Sequence, residues 1–240
     1  MSEFSNFKYS GKDELEILES SLENYNQFIV SSFIAHASPA AKKILDFGAG
    51  IGTLSKICIK LSPNSEISCL EIDKTQRAIL NSRGFTTLKN LPNSFLFDYI
   101  FTSNVLEHIE DDVETLIKLF NIVELGGGLG IFVPANKFIY SKTDTKLGHF
   151  RRYSKKELID KVEKAGFEIE LCVFVDSLGF FAWLFLKFFK QGLTDSGSFL
   201  ISFYDRFIWP ISKILDKIGV KYLFGKNLLL LAKKSNFGGG

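Results

Sequence analysis

Residues 44–52 read ILDFGAGIG: Asp46 is followed by Gly48, Gly50 and Gly52 at alternate positions. Glycine admits positive φ and lets a ligand come close to the backbone. A turn that tight, opening into a helix, leaves helix N–H groups free to face a ligand. A dinucleotide loop would read G-x-G-x-x-G. Here the third glycine comes one residue early and Thr53 stands in the glycine's place, so the loop is read as doing something other than holding a pyrophosphate. Glu71 lies 19 positions after Gly52. A carboxylate at the end of a second strand can accept both hydrogen bonds of a ribose diol. The alternative is a surface carboxylate at a strand end, and the spacing favours the ribose.

Three histidines could handle a proton. His36 has no motif around it and is read as structural. His108 follows Glu107 in the sequence NVLEHIEDD. His149 lies in LGHFRRYS beside Arg151, Arg152 and Tyr153. An arginine grips a phosphate or carboxylate bidentately, and a neighbouring cation keeps an imidazole neutral and able to act as a base. His149 is therefore the catalytic candidate, with Arg151, Arg152 and Tyr153 as substrate-binding candidates; His108 is the second catalytic candidate, and its alternative is to hold loop geometry or line the pocket with Glu107. The competing reading is a structural turn, with an arginine paired to Asp144 and Tyr153 packed on the next helix.

The elements that must position these groups alternate. Strands are expected at 43–47, 66–70, 97–102, 128–133, 167–175 and 227–232. Helices are expected at 53–61, 75–82 and 111–123. Another should start at a capping box made by Ser154 and Glu157 and stop before Gly166. Such alternation predicts an α/β fold, a mostly parallel sheet with helices on both faces. Ligands then bind at the carboxyl ends of the strands. The whole chain reads as one domain, with an N-terminal helical cap over 1–40 and a helical insertion over 176–226 before the last strand. Phe180, Phe181, Trp183, Leu184, Phe185, Phe188 and Phe189 crowd one helix of that insertion. It is buried, a lid, or an interfacial helix with Lys187 and Lys190 toward anionic lipid.

Charged residues make up 23% of the 240 and apolar residues 46%, an ordinary globular balance. Cys58, Cys69 and Cys172 are far apart without a C-x-x-C, which suits buried thiols in a reducing compartment. With no signal peptide visible, a cytoplasmic location is expected, with peripheral contact at the inner membrane face as a possibility. Residues 137–240 hold 18 Lys+Arg against 10 Asp+Glu, whereas the first 136 hold 11 against 17. The basic, Phe-rich part suits an anionic partner, or is solvated lysine over a Phe-rich core.

The set Asp46, Gly48, Gly50, Gly52 and Glu71, with FDYIFTSNVLEHIEDD at 97–112, resembles the class I S-adenosylmethionine-dependent methyltransferases. The stretch VPANKFIYSKTDTKLGHFRRYSKKEL at 133–158 and ENYNQFI at 23–29 resemble a bacterial subgroup associated with glycosyltransferases and surface-polysaccharide genes. The resemblance implies a Rossmann-like methyltransferase fold with a seven-stranded, mostly parallel sheet, S-adenosylmethionine as cofactor, and a third strand ending at Leu88–Leu91, where such enzymes hold the adenine. It places Asp46, Gly48, Ala49, Gly50 and Gly52 against the methionine part, Glu71 and Ile72 at the ribose end, and Ser103 and Asn104 near the sulfonium, with Tyr25 closing from above. Some related quinone methyltransferases carry E-x-x-E-H there and bind a divalent metal. Asn104 replaces the first carboxylate, so no metal is expected. The implied activity is methylation, with oxygen as the expected acceptor atom, of a small molecule, a sugar or a lipid-linked, anionic glycan intermediate. The alternative is a non-catalytic cofactor-binding partner of a glycosyltransferase complex. Nucleic acid is not expected as a substrate, because N-P-P-[YF] is absent where the chain reads TSNV. The oligomeric state is not legible.

Overall fold

The computed structural model describes residues 19–92, 96–189 and 197–235. Its order is α1 (Glu23–His36), β1 (Lys43–Phe47), α2 (Thr53–Leu61), β2 (Glu66–Leu70), α3 (Lys74–Ser82), β3 (Thr86–Leu88) and β4 (Phe97–Ser103). Then come α4 (Asp112–Asn121), β5 (Val123–Pro134), α5 (Lys142–Lys146), α6 (Lys155–Lys164) and β6 (Glu168–Val175). The insertion holds α7 (Ser177–Phe189), α8 (Gly197–Phe203), a π turn (Tyr204–Ile208) and α9 (Trp209–Lys217), before β7 (Asn227–Lys233).

One seven-stranded sheet results, in the order β3-β2-β1-β4-β5-β7-β6. β7 runs antiparallel to both β5 and β6, while the pairings from β3 to β5 are parallel. The strands are apolar on both faces because helices cover both. Ile44 and Leu45 are fully buried neighbours that point to opposite sides: Leu45 joins the core under α4 and α6, and Ile44 joins the one under α1 and α2. α1 sits close on its face. Phe33 stacks on Phe101 with ring centroids 5.5 Å apart, and a Cβ on Gly130 would lie 2.4 Å from Phe33.

The fold matches the expected class, with local differences. β5 begins at Val123, five residues before the predicted start, and its register with β4 slips between Phe97 and Tyr99. At α6, Ser154 Oγ does accept the Glu157 N–H, but the Glu157 carboxylate is drawn away to Lys137 and Lys161. The complete capping box is at Ser141 and Asp144, on α5. The three cysteines are free and buried. Residues 1–18 of the predicted cap lie outside the described residues, as do the side chains of Trp183, Phe185, Phe188 and Phe189 in the aromatic helix.

Candidate functional site

The carboxyl ends of β1, β2, β4 and β5 lie along one sheet edge, in the register Phe47↔Leu70, Asp46↔Phe101 and Ser103↔Phe132. The glycine loop covers the end of β2, where the Gly48 and Ala49 N–H groups both donate to the Leu70 carbonyl. Gly48, Gly50 and Gly52 all have positive φ. At Gly48 a Cβ would sit 2.3 Å from the Val105 side chain, so only glycine fits there. Gly52 is the N-cap of α2.

Glu71 follows β2 and is largely buried. One carboxylate oxygen accepts the Gly50 N–H at 2.9 Å and the other the Asp73 N–H at 2.8 Å. Burial raises its pKa, and those backbone donors oppose the rise. Each oxygen retains a lone pair for a hydroxyl. Next to it Ile72 is exposed. Ser103 and Asn104 close β4, with Asn104 at φ +54. This donor set fits S-adenosylmethionine: a narrow glycine cradle, a paired carboxylate for a diol and an exposed apolar side chain beside it.

Asp46 is 3% exposed and accepts a hydrogen bond from Ser55 Oγ. Burial pushes its carboxyl up to about 7, the Ser55 bond pulls the other way, and the Glu71 charge adds to the rise. It ties α2 to the loop. The Tyr25 ring packs against Trp209 and Phe132, and its hydroxyl accepts a hydrogen bond from Asn227, the contacts of a helix-packing aromatic.

The stretch 147–154 folds back on the turn after β4, where Phe150 N–H donates to the Glu107 carbonyl. This brings Glu107, His108 and His149 together. One ligand-type atom from each lies within 4.8 Å of the others. His149 Nδ1 is 3.0 Å from Asp144 Oδ1, and its Nε2 is 3.9 Å from Glu107 Oε1. The His108 and His149 rings meet edge to face at 4.7 Å. Burial, then the neighbouring His149, lowers the His108 pKa to about 4. Glu107 is fully buried, and among the described residues neither carboxylate oxygen has a hydrogen-bond partner from another residue. Burial pushes its carboxyl up to about 8 against the pull of Arg152.

The substrate-binding expectation for Arg151, Arg152 and Tyr153 is corrected by this geometry. Arg152 is 3% exposed, with Nε on Asp144 Oδ1 at 2.8 Å and Nη1 toward the Ala135 carbonyl. Arg151 is taken up by Asp112 at 2.7 Å and by the Glu110 carbonyl. Tyr153 is fully buried and donates its hydroxyl to Asp112. Each of these groups is committed to holding the segment on the sheet edge, as in the structural-turn alternative. His36 likewise bridges Tyr99 and Glu170.

Sequence reasoning missed two features. Asn104, Asn136 and Asp176 adopt left-handed backbone just past β4, β5 and β6, at one edge. Asn and Asp tolerate that region better than other side chains, which was the signal available. Asp176 is also the hub of a buried network, receiving hydrogen bonds from Gly179 N–H, Tyr204 and Ser212.

A family profile described as a methyltransferase domain matches residues 23–171. The malonyl-[acyl-carrier protein] O-methyltransferase 1 of Ilyobacter polytropus is 23% identical over 153 residues, 56% of each protein. The chain thus spans about half the length of this curated relative. An S-adenosylmethionine-dependent methyltransferase from Archaeoglobus fulgidus superposes with a TM-score of 0.62 at 17% identity, covering 92% of this chain and 99% of that one. The phosphoethanolamine N-methyltransferase 2 of Haemonchus contortus, in complex with S-adenosylmethionine, gives 0.59 at 19% identity, covering 88% of this chain and 52% of that one. At such identities these two structures speak for the fold alone, whereas the profile spans more than half of the chain. The protein belongs to the methyltransferase-domain family.

Proposed function

We propose that the protein methylates an oxygen of a small acceptor, free, sugar-based or lipid-linked, with His149 as general base. The observation that carries this reading is the Asp144–His149 pair. Burial alone would raise the Asp144 pKa, but hydrogen bonds from His149 and the Arg152 guanidinium hold it below the usual carboxylate range. With the Nδ1 proton assigned to the bond with Asp144, Nε2 keeps its lone pair for an acceptor proton, and the carboxylate stabilises the resulting imidazolium. S-adenosylmethionine supplies the methyl on a sulfonium that leaves as a neutral thioether. The protein's own part is to align the acceptor, exclude water and take the proton.

The Ilyobacter relative, named as an O-methyltransferase, supports oxygen as the acceptor atom. An anionic acceptor keeps the basic balance of residues 137–240 as its support, because Arg151 and Arg152 are engaged elsewhere. The surface-polysaccharide reading rests on the 133–158 stretch, and the cytoplasmic reading on the free, buried cysteines. No helix among the described residues is long and apolar enough to cross a membrane.

The test is incubation with labelled cofactor and cell-envelope extracts, followed by identification of the product. His149→Ala should lower turnover roughly 10²–10⁴-fold while calorimetric affinity for the cofactor stays near that of the parent. Unchanged turnover would remove His149 as the base. The same assay with EDTA should keep its activity: Asn104 replaces a carboxylate, and the Arg152 guanidinium already provides positive charge near Glu107 and Asp144. Loss restored by magnesium would assign the Glu107–His108–His149 corner to an ion.

A further inference from the structure

The helical run 197–218 has its polarity turned inside out. Its inward residues include Asp205, Trp209, Ser212 and Asp216, all buried. The Asp205 carboxylate accepts the N–H groups of Asn24 and Tyr25, in the first turn of α1. Asp216 accepts the Asp176 N–H. Both acids of this run therefore face the protein. Leu200, Phe203, Phe207, Ile211, Ile214 and Ile218 are exposed. They recur at steps of three or four, which places them in one stripe along the outer side. Exposure rises along it to 60% at Ile214 and 74% at Ile218, and continues at Tyr222 and Leu223 in the next turn.

Cations form a row beside the stripe. Arg206, Lys213 and Lys217 are seven and four positions apart, and Lys221 follows. Arg206 and Lys217 are exposed; Lys213 and Lys221 are half-buried. Residues 197–226 contain no acid besides the two that point inward. An apolar band of this length at a protein surface marks a contact site, and its chemistry selects the partner. A second copy of the chain paired face to face would set these cations against one another with no acid to meet them. An anionic lipid surface offers acyl chains to the stripe and headgroup charge to the row.

We propose that the outer side of residues 200–223 is a docking surface on which the enzyme lies flat on an anionic bilayer. The proposal differs from the aromatic α7 expectation in the element that makes contact. It does not depend on the acceptor atom or on His149.

The experiment is co-sedimentation of the full chain with vesicles of phosphatidylcholine alone and of phosphatidylcholine mixed with phosphatidylglycerol, at low and high salt. Binding is expected to the phosphatidylglycerol vesicles and to weaken as salt rises. The double variant Ile211→Glu/Ile214→Glu should lower the bound fraction by roughly tenfold or more, and Lys213→Glu/Lys217→Glu should abolish the preference for anionic lipid. Calorimetric cofactor affinity in both variants should equal that of the parent, which separates this result from any failure of the methyl-transfer assignment. Absence of parent binding to either vesicle would overturn the proposal. So would a parent that elutes as a dimer and becomes monomeric in Ile211→Glu/Ile214→Glu.

Discussion

Glu107 shows how a single buried group can set the response of the whole protein to pH. Its carboxyl rises from an ordinary 4.5 to about 8, chiefly through burial. Between those values the folded chain holds a proton that the unfolded chain has lost. The stability this group provides is therefore complete below about pH 4.5 and declines as pH climbs toward 8. Glu107→Gln keeps the shape and removes the ionisation. Above pH 8 it should melt higher than the parent by at least roughly 2–4 °C, the shift that about 1 kcal/mol gives a chain of this size. Below pH 4.5 the two should coincide. Parallel melting curves across the range would mean that Glu107 ionises freely where it lies. The sequence showed Glu107 and His108 as neighbours. It could not show that His149, some forty positions away, would be folded onto them by a hydrogen bond between Phe150 and the Glu107 carbonyl.

At the scale of elements, the loop between β1 and α2 is the most constrained backbone at the site. Gly48→Ala would force a side chain into left-handed backbone at φ +81 and against Val105 at 2.3 Å. It should destabilise by about 1–3 kcal/mol and weaken cofactor binding at least tenfold; thermal melts and calorimetry on one preparation would check both. A variant matching the parent in both would show that the loop yields. This loop was legible because glycine spacing is a local signal. The strands were legible for a similar reason: Ile44–Leu45 and Tyr99–Phe101 are continuous apolar runs, which a sheet covered on both faces requires. The Arg152–Asp144 pair was legible as the structural-turn alternative. The Tyr153 partner, Asp112, was not, because the tertiary fold brings it in from 41 positions away. The contact of Tyr25 with Trp209 was out of local reach too, since Trp209 belongs to the insertion.

For the molecule as a whole, the insertion and the N-terminal helix are held together by Asp205. Its carboxylate takes the Asn24 and Tyr25 N–H groups and the Asn24 amide, so a residue of the π turn caps α1. Asp205→Ala would leave those first-turn donors without their acceptor. The expected loss is about 1–2 kcal/mol, with faster cleavage within 190–226 under limited proteolysis. A variant cut at the parent's rate would mean that packing by Trp209 and Phe28 suffices to hold the clamp.

The place of β7 has a consequence for biosynthesis. It lies between β5 and β6 and bonds to both, with partners such as Pro134↔Asn227 and Val175↔Asn227. Its partners on β5 lie about ninety or more positions earlier in the chain. A ribosome therefore makes β5, β6 and the entire helical insertion before the strand that joins them. Until then the growing polypeptide displays an unpaired margin on β5, apolar over Leu129 and Ile131–Val133, the kind of edge that invites pairing with another nascent molecule. The interval spent translating the insertion is when this protein is most exposed to misassembly, and when a chaperone has most to shield.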